Sequence, residues 1–243
     1  MFSQFWLEES QLAPNSGYAP FSLTHLGFLT ISLIIILVCY RGFSKLTENK
    51  KLRFLKIMAW TNLSLEVLRD LYLVSIGKYT IGYWPLHLCG LALFIHLAFI
   101  YSHNKLLGEV SYALVLPGAV AALLFPNWLA YPAFNLFNLS SYLIHTLLVL
   151  FPILSFKARI ILPKFSNHWM ITLFLLIVTP LIYLFNLQNA TNFFFINYPP
   201  EGTPLALFAN WLGNPGYLIG YALLVFVGTS AMELVGHKID TKP

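Results

Sequence analysis

Residues 21–40 read FSLTHLGFLTISLIIILVCY, and residues 41–56 follow as RGFSKLTENKKLRFLK. The first stretch has no charged side chain. It matches the roughly 20 residues a helix needs to cross a ~30 Å hydrocarbon core at ~1.5 Å rise per residue. The second supplies Arg41, Lys45, Lys50, Lys51, Arg53 and Lys56, a basic cluster of the kind that keeps a helix end in the cytoplasm. An apolar span followed by a basic loop defines a membrane protein whose N-terminus lies outside.

The same alternation continues along the chain. Spans are predicted at Phe21–Tyr40, Phe54–Ile76, Trp84–Tyr101, Leu106–Phe125, Leu136–Phe156, His168–Leu187 and Leu212–Val235. Lys105, Lys157, Arg159, Lys164, Lys238 and Lys242 fall on the side of the first basic loop. Of the 14 basic residues, this leaves Lys78, in the second connector, and Arg69, inside a span. The predicted fold is all-α: a single membrane-embedded domain over residues 1–243, a bundle of seven transmembrane helices with the N-terminus out and the C-terminus in.

Composition agrees. Hydrophobic residues make up 58% of the chain and charged residues 9%, whereas soluble domains are about one quarter charged. The net charge of +5 comes from short patches flanking apolar segments, with no basic stripe interleaved with aromatics, so nucleic acid is not an expected partner. Glu8 and Glu9 precede the first span without any Lys or Arg, which is not the pattern of a signal peptide. Cys39 and Cys89 lie near opposite faces, too far apart for a disulfide, and Cys39 is read as packing.

The predicted outer connectors are nearly uncharged. Trp84, Trp128 and Trp211 fall at the outer boundary, as an interfacial belt does. The long connector Gln188–Trp211, with Asn197-Tyr198-Pro199-Pro200, is read as a partly embedded cap over a cavity. Asn189-Ala190-Thr191 is a glycosylation sequon, relevant only in a host that glycosylates. Gly216 and Gly220 form a small-xxx-small pair suited to close helix packing.

Ionisable side chains inside hydrocarbon cost at least ~2.5 kcal/mol and mark sites or buried pairs. The second span carries Glu66, Arg69 and Asp70 at helical spacing on or near one face. They either fix helix packing as a self-satisfied ion network or bind substrate. In the third span, Trp84-Pro85-Leu86-His87-Leu88-Cys89 reads as a helix start at Pro85, with Cys89 in the second turn near the positive end of the helix. On such a helix His87 and Cys89 point to opposite sides, so the base for a Cys89 nucleophile comes from another span. His145 is the candidate, about 14 Å below the outer boundary against about 8 Å for Cys89. His96 follows Cys89 on the same face, nearer the cytoplasm. His25, His103, His168 and His237 are read as interfacial. No zinc-ligand spacing appears, and neither a metal nor another cofactor is expected.

Several segments carry a resemblance. Trp84–Cys89 resembles the "PLHxC" segment of the YwaF-like bacterial membrane proteins, relatives of the vertebrate transmembrane protein 164. Pro117–Pro126 (PGAVAALLFP) resembles that family's "PGxxxAlltP" segment. His145, Asn197–Pro200, Asn214-Pro215, Glu66 and Arg69 also fit, so the likeness runs from Glu66 to near the C-terminus. The vertebrate relative is an acyltransferase acting on lysophospholipids. The resemblance implies a Cys89–His145 dyad passing an acyl chain from a phospholipid to a lysophospholipid, with Arg69, Glu66, Asp70 and His87 contacting substrate. It also implies a multi-pass protein of a bacterial plasma membrane, with the site toward the outer leaflet. Two other classes remain open on the residues alone. One is a small-solute or proton-coupled transporter using the second-span charges, and the other is a receptor or accessory subunit binding a ligand at the outer cap.

Overall fold

A computed structural model describes residues 2–240; Lys242 lies outside them. The chain folds as helices α1 (Leu23–Ser44), α2 (Glu48–Ser75), α3 (Leu88–Ser102), α4 (Lys105–Leu124), α5 (Leu136–Lys157), α6 (His168–Asn189), α7 (Pro204–Leu212) and α8 (Tyr217–Asp240). Short 3-10 turns are interspersed, and no strand occurs among the described residues. Five of the helices, α1, α4, α5, α6 and α8, are long and apolar enough to cross a membrane. The second predicted span falls on α2, at 28 residues longer than any of these. The third falls on α3, which has 15. This is an integral, multi-pass, all-helical protein.

Polar caps mark the helix starts. The Ser22 hydroxyl accepts from the His25 N–H, and the Asn135 side chain accepts from the Phe137 N–H at 2.8 Å. The α5 helix runs through the centre, packed by α1, α2 and α4, and buries Phe137, Leu148, Phe151 and Leu154. Leu33, Ile34 and Val38 of α1, Leu181 and Leu184 of α6, and Ile219 and Leu223 of α8 remain exposed, as a lipid-facing surface requires.

In α4, residues Val110–Val115 form a π-helical turn, and the Leu116 N–H reaches the Ser111 carbonyl. Pro117 follows directly. Proline has no N–H to offer a carbonyl four residues back and its ring crowds that carbonyl, so a wider turn relieves the clash. At that end of the bundle the Asn167 amide donates to Glu109, and His168 Nδ1 lies 3.6 Å from the Glu233 carboxylate. These contacts join α4, α6 and α8. Glu109 and Glu233 are both buried, and the sequence reading singled out neither.

The structure revises three expectations. Pro85 does not start α3: Trp84–His87 is non-helical, and His87, with ψ 155°, is the residue before the first turn. Cys89 is therefore the second residue of the helix. His25 is not interfacial but fully buried, its Nε2 2.9 Å from the Leu123 carbonyl and its Nδ1 accepting from the Phe21 N–H. The last span starts at Tyr217 rather than Leu212, and the connector predicted before it holds the helix α7; a Cβ at Gly220 would sit 2.5 Å from the Phe208 ring, so α7 and α8 pack at close range.

The opposite end of the bundle is closed by chain segments distant in sequence. The Asn135 amide donates to the carbonyls of Gln4 and Leu7, and the Tyr72 hydroxyl donates to the Trp6 carbonyl. The Tyr18 N–H donates to Leu129. The segment before α1 thus forms a lid over α2 and α5.

Candidate functional site

Beneath that lid is a cavity of about 1790 Å³. Its walls come from α2 and α5, the start of α3, the C-terminal half of α4, one face each of α6 and α8, and the connectors 126–131 and 194–205. Glu66, Arg69, His87, Cys89 and His145 all line it. Asp70 does not, among the described residues. Cys39 and Cys89 are both free thiols.

His87 and Cys89 reach the same space because His87 lies outside the helix, where the angular spacing that separates helical neighbours does not apply. This depends on Gly90. A Cβ there would lie 2.6–2.8 Å from the backbone of Pro85, so the Trp84–His87 segment folds directly onto the first turn of α3 only because residue 90 has no side chain.

The two histidines carry opposite tautomers. His145 Nδ1 is 2.8 Å from the Ser141 carbonyl oxygen, which can only accept, so Nδ1 bears the proton and Nε2 of the neutral ring holds a lone pair. His87 Nδ1 accepts from the Phe194 N–H at 3.4 Å, so in the neutral ring Nε2 bears the proton. One ring is arranged as a base and the other as a donor.

Each ring is locked by aromatics. Trp128 stacks on His145, centroids 4.6 Å apart. It is 7% exposed and lines the cavity, so it is not part of an interfacial belt; Trp84 and Trp211 are 45% and 77% exposed. Phe193 and Phe195 flank His87 at 5.0 and 4.8 Å. Their turn is strained: Phe194 and Phe195 have φ of 60° and 55°, left-handed values costly for bulky residues. Asn186 holds it by exchanging hydrogen bonds with the backbone of Phe193, and the Tyr217 hydroxyl donates to the Phe195 carbonyl. The connector expected to cap a cavity thus supplies part of its wall.

Arg69 Nη2 contacts Glu66 Oε1 at 2.5 Å and Asp70 Oδ1 at 2.9 Å, and Nε also donates to Asp70. No hydrogen bond from Nη1 to the protein occurs among the described residues, which leaves it available to an anion. Asp70 holds Arg69 from outside the cavity wall.

At the mouth, Tyr83 donates to Glu8 Oε1 at 2.7 Å, and the Ser10 hydroxyl and N–H donate to Oε2. Burial raises the pKa of the Glu8 carboxyl, but these hydrogen bonds and the Lys78 charge outweigh it and hold the value below the ordinary 4.5. Burial and the Glu8 hydrogen bond raise that of the Tyr83 phenol.

The sequence names the polar residues of this site and puts Trp128 at a boundary, but it gives no sign of Gly90, Asn186 or the Phe193–Phe195 turn as parts of it. Among the described residues, no group of three or more His, Cys, Asp or Glu side chains is placed to hold a metal ion. No curated protein and no solved structure matches the chain. The family model, by contrast, matches residues 20–232, from just before α1 to near the end of α8. That span takes in Glu66, Arg69, His87, Cys89, Trp128 and His145, and the chain belongs to the TMEM164 family.

Proposed function

We propose that the protein is a membrane acyltransferase moving a fatty acyl chain from a phospholipid to a lysophospholipid through a thioester on Cys89. The observation that carries this reading is that one cavity is lined by a free thiol, a histidine tautomer with an available lone pair, a second histidine presenting N–H, and an arginine with an unused donor edge.

His145 Nε2 accepts the Cys89 proton, and Sγ attacks the ester carbonyl carbon of the donor lipid. A C–S bond forms, the ester C–O bond breaks, and the proton passes from His145 to the departing lysophospholipid oxygen. In the second half, an acceptor hydroxyl gives its proton to His145 and its oxygen attacks the thioester. The C–S bond then breaks, and the proton returns to sulfur. The His87 N–H stabilises the oxyanion of each tetrahedral intermediate. Arg69 Nη1 binds the lipid phosphate, with Glu66 and Asp70 setting its position. The scheme uses no metal or organic cofactor.

The same proposal takes the seven-span topology, N-terminus out and C-terminus in. The short α3 and charge-bearing α2 join the five apolar helices, and the basic loops lie on one side. The site then faces the outer leaflet of the membrane, which the resemblance makes a bacterial plasma membrane.

The test is the intact mass of detergent-purified protein after incubation with a defined phospholipid, beside Cys89→Ala. A hydroxylamine-sensitive acyl adduct on the native protein and not on the variant is expected, together with lysophospholipid release. Lipid turnover that survives in Cys89→Ala overturns the reading. Solute flux that is lost in Glu66→Gln but kept in Cys89→Ala assigns the protein to the transporters instead.

A further inference from the structure

The cavity continues well below Cys89. One face of α6 lines it at Ile171, Leu175, Thr179 and Tyr183, residues four apart and so stacked along a single helical stripe. The facing wall on α8 runs through Tyr221, Ala222, Val225 and Thr229. Two of the polar side chains in this limb are satisfied within their own helices. The Thr229 hydroxyl donates to the Val225 carbonyl at 2.8 Å, and that of Thr172 to the His168 carbonyl. The limb therefore offers mostly hydrocarbon to an occupant. It also opens sideways: Leu176 and Phe226 line it while remaining 68% and 57% exposed.

Its depth is set by two helices. On α8 the lining runs from Leu218 through Tyr221 to Thr229. From Tyr221 to Thr229 the helix rises about 12 Å, and from Pro180 to His168 on α6 about 18 Å. No described residue of α8 beyond Thr229, and none between His145 and His168, lines the cavity. Below that level, Tyr112 of the π turn packs on Gly236 so tightly that a Cβ there would lie 2.9 Å from its ring, and the His168–Glu233 contact joins α6 to α8. The limb has a floor. Half of a ~30 Å hydrocarbon core is ~15 Å, the depth that one leaflet's acyl chain fills.

We propose that the limb between α6 and α8 is the binding site for the donor lipid's fatty acyl chain, entered laterally from the bilayer, and that its floor at His168 and Thr229 limits the chain length transferred. The proposal rests on the acyl-transfer reading above, since it places the chain's carbonyl end at Cys89.

Gly228 gives a clean probe. It lines the limb, and a Cβ there meets nothing within 4 Å, so a larger side chain enters open space without disturbing the fold. Gly228→Phe fills the lower part of the limb. Each methylene denied its burial weakens binding roughly fourfold. The variant is therefore expected to lose tenfold or more of kcat/KM on palmitoyl phosphatidylcholine, and to stay within about twofold of wild type on the octanoyl donor. Varying the acceptor lysophospholipid's chain at fixed donor should leave the ratio unchanged. A ratio that follows the acceptor instead, a uniform loss across donors, or an unchanged donor profile overturns the proposal.

A second measurement does not need turnover. Phosphatidylcholine with a diazirine at the end of one palmitoyl chain is expected to label peptides of α6 and α8 within 171–179 and 222–229, and labelling should fall in Gly228→Phe. Labelling there without any acyl adduct leaves the chain site standing and removes the acyl-transfer reading. An adduct on Cys89 with labelling elsewhere does the reverse.

Discussion

Trp128 and His145 lie face to face, their ring centroids 4.6 Å apart and their planes 25° from parallel. With the Ser141 carbonyl fixing Nδ1, the indole leaves the imidazole a single posture in which Nε2 serves as base. An aromatic stack contributes about 0.5–1.5 kcal/mol beyond its buried area. Trp128→Ala is therefore expected to lower kcat about tenfold with little change in KM, while Trp128→Phe recovers most of the loss. Steady-state lipid turnover checks this, and a KM defect in place of a kcat defect would mean that Trp128 contacts substrate instead.

Gly90 is expected to be as intolerant as a catalytic residue without touching substrate. Gly90→Ala places a methyl group against the Pro85 backbone, which has no flexible side chain to move aside. Overpacking of this kind costs about 1–3 kcal/mol. The strain falls on the segment carrying His87, so activity should drop more than the melting temperature suggests. Thermal unfolding and turnover measured on one preparation test this; equal losses would argue for a merely structural glycine.

Arg69 holds two carboxylates. Removing it in Arg69→Met leaves Glu66 and Asp70 facing each other without a cation, at 12% and 21% side-chain exposure. Breaking a buried pair costs about 3–5 kcal/mol. The expected result is a large fall in melting temperature, partly restored by adding Glu66→Gln. Arg69→Lys should fold better than Arg69→Met yet remain impaired, because an ammonium cannot present a separate edge to a phosphate while holding both partners.

The lid should respond to acid. The folded-state pKa of Glu8 lies below its ordinary 4.5, so its contribution to stability is fully present above that value and fades as pH falls through the lower, folded one. Hydrogen exchange in residues 2–11 should therefore accelerate at the acid end of the range, below about pH 4.5. Glu8→Gln should flatten that dependence. Exchange that is insensitive to pH in the native protein would separate the lid from this carboxyl.

The membrane character and the polar site residues were legible because both are written locally. A 20-residue apolar run has few alternatives to spanning, and a charge within one stands out. Glu109 and Glu233 carry the same signal and were passed over because each sits near a span end, where a charge is ordinarily solvated. Trp128 was misread for a related reason: beside a membrane boundary, nothing in the local sequence separates a stacked indole from an anchoring one. His25 was misplaced likewise, since its partner Leu123 lies 98 residues away. The α3 start was misjudged because proline marks helix starts in general, whereas here the contact between Gly90 and Pro85 sets the boundary.

The Asn135 amide binds carbonyls at Gln4 and Leu7, up to 131 positions earlier in the chain. Those early residues leave the ribosome long before Asn135 exists, and the Tyr72 contact alone does not complete their seat. During biosynthesis the lid therefore has only its partners at Tyr72 and Tyr83 until four helices have been made and α5 begins. The full set of lid contacts exists only after synthesis has passed the start of α5, so the cover over the thiol is among the features a chain arrested before that point lacks.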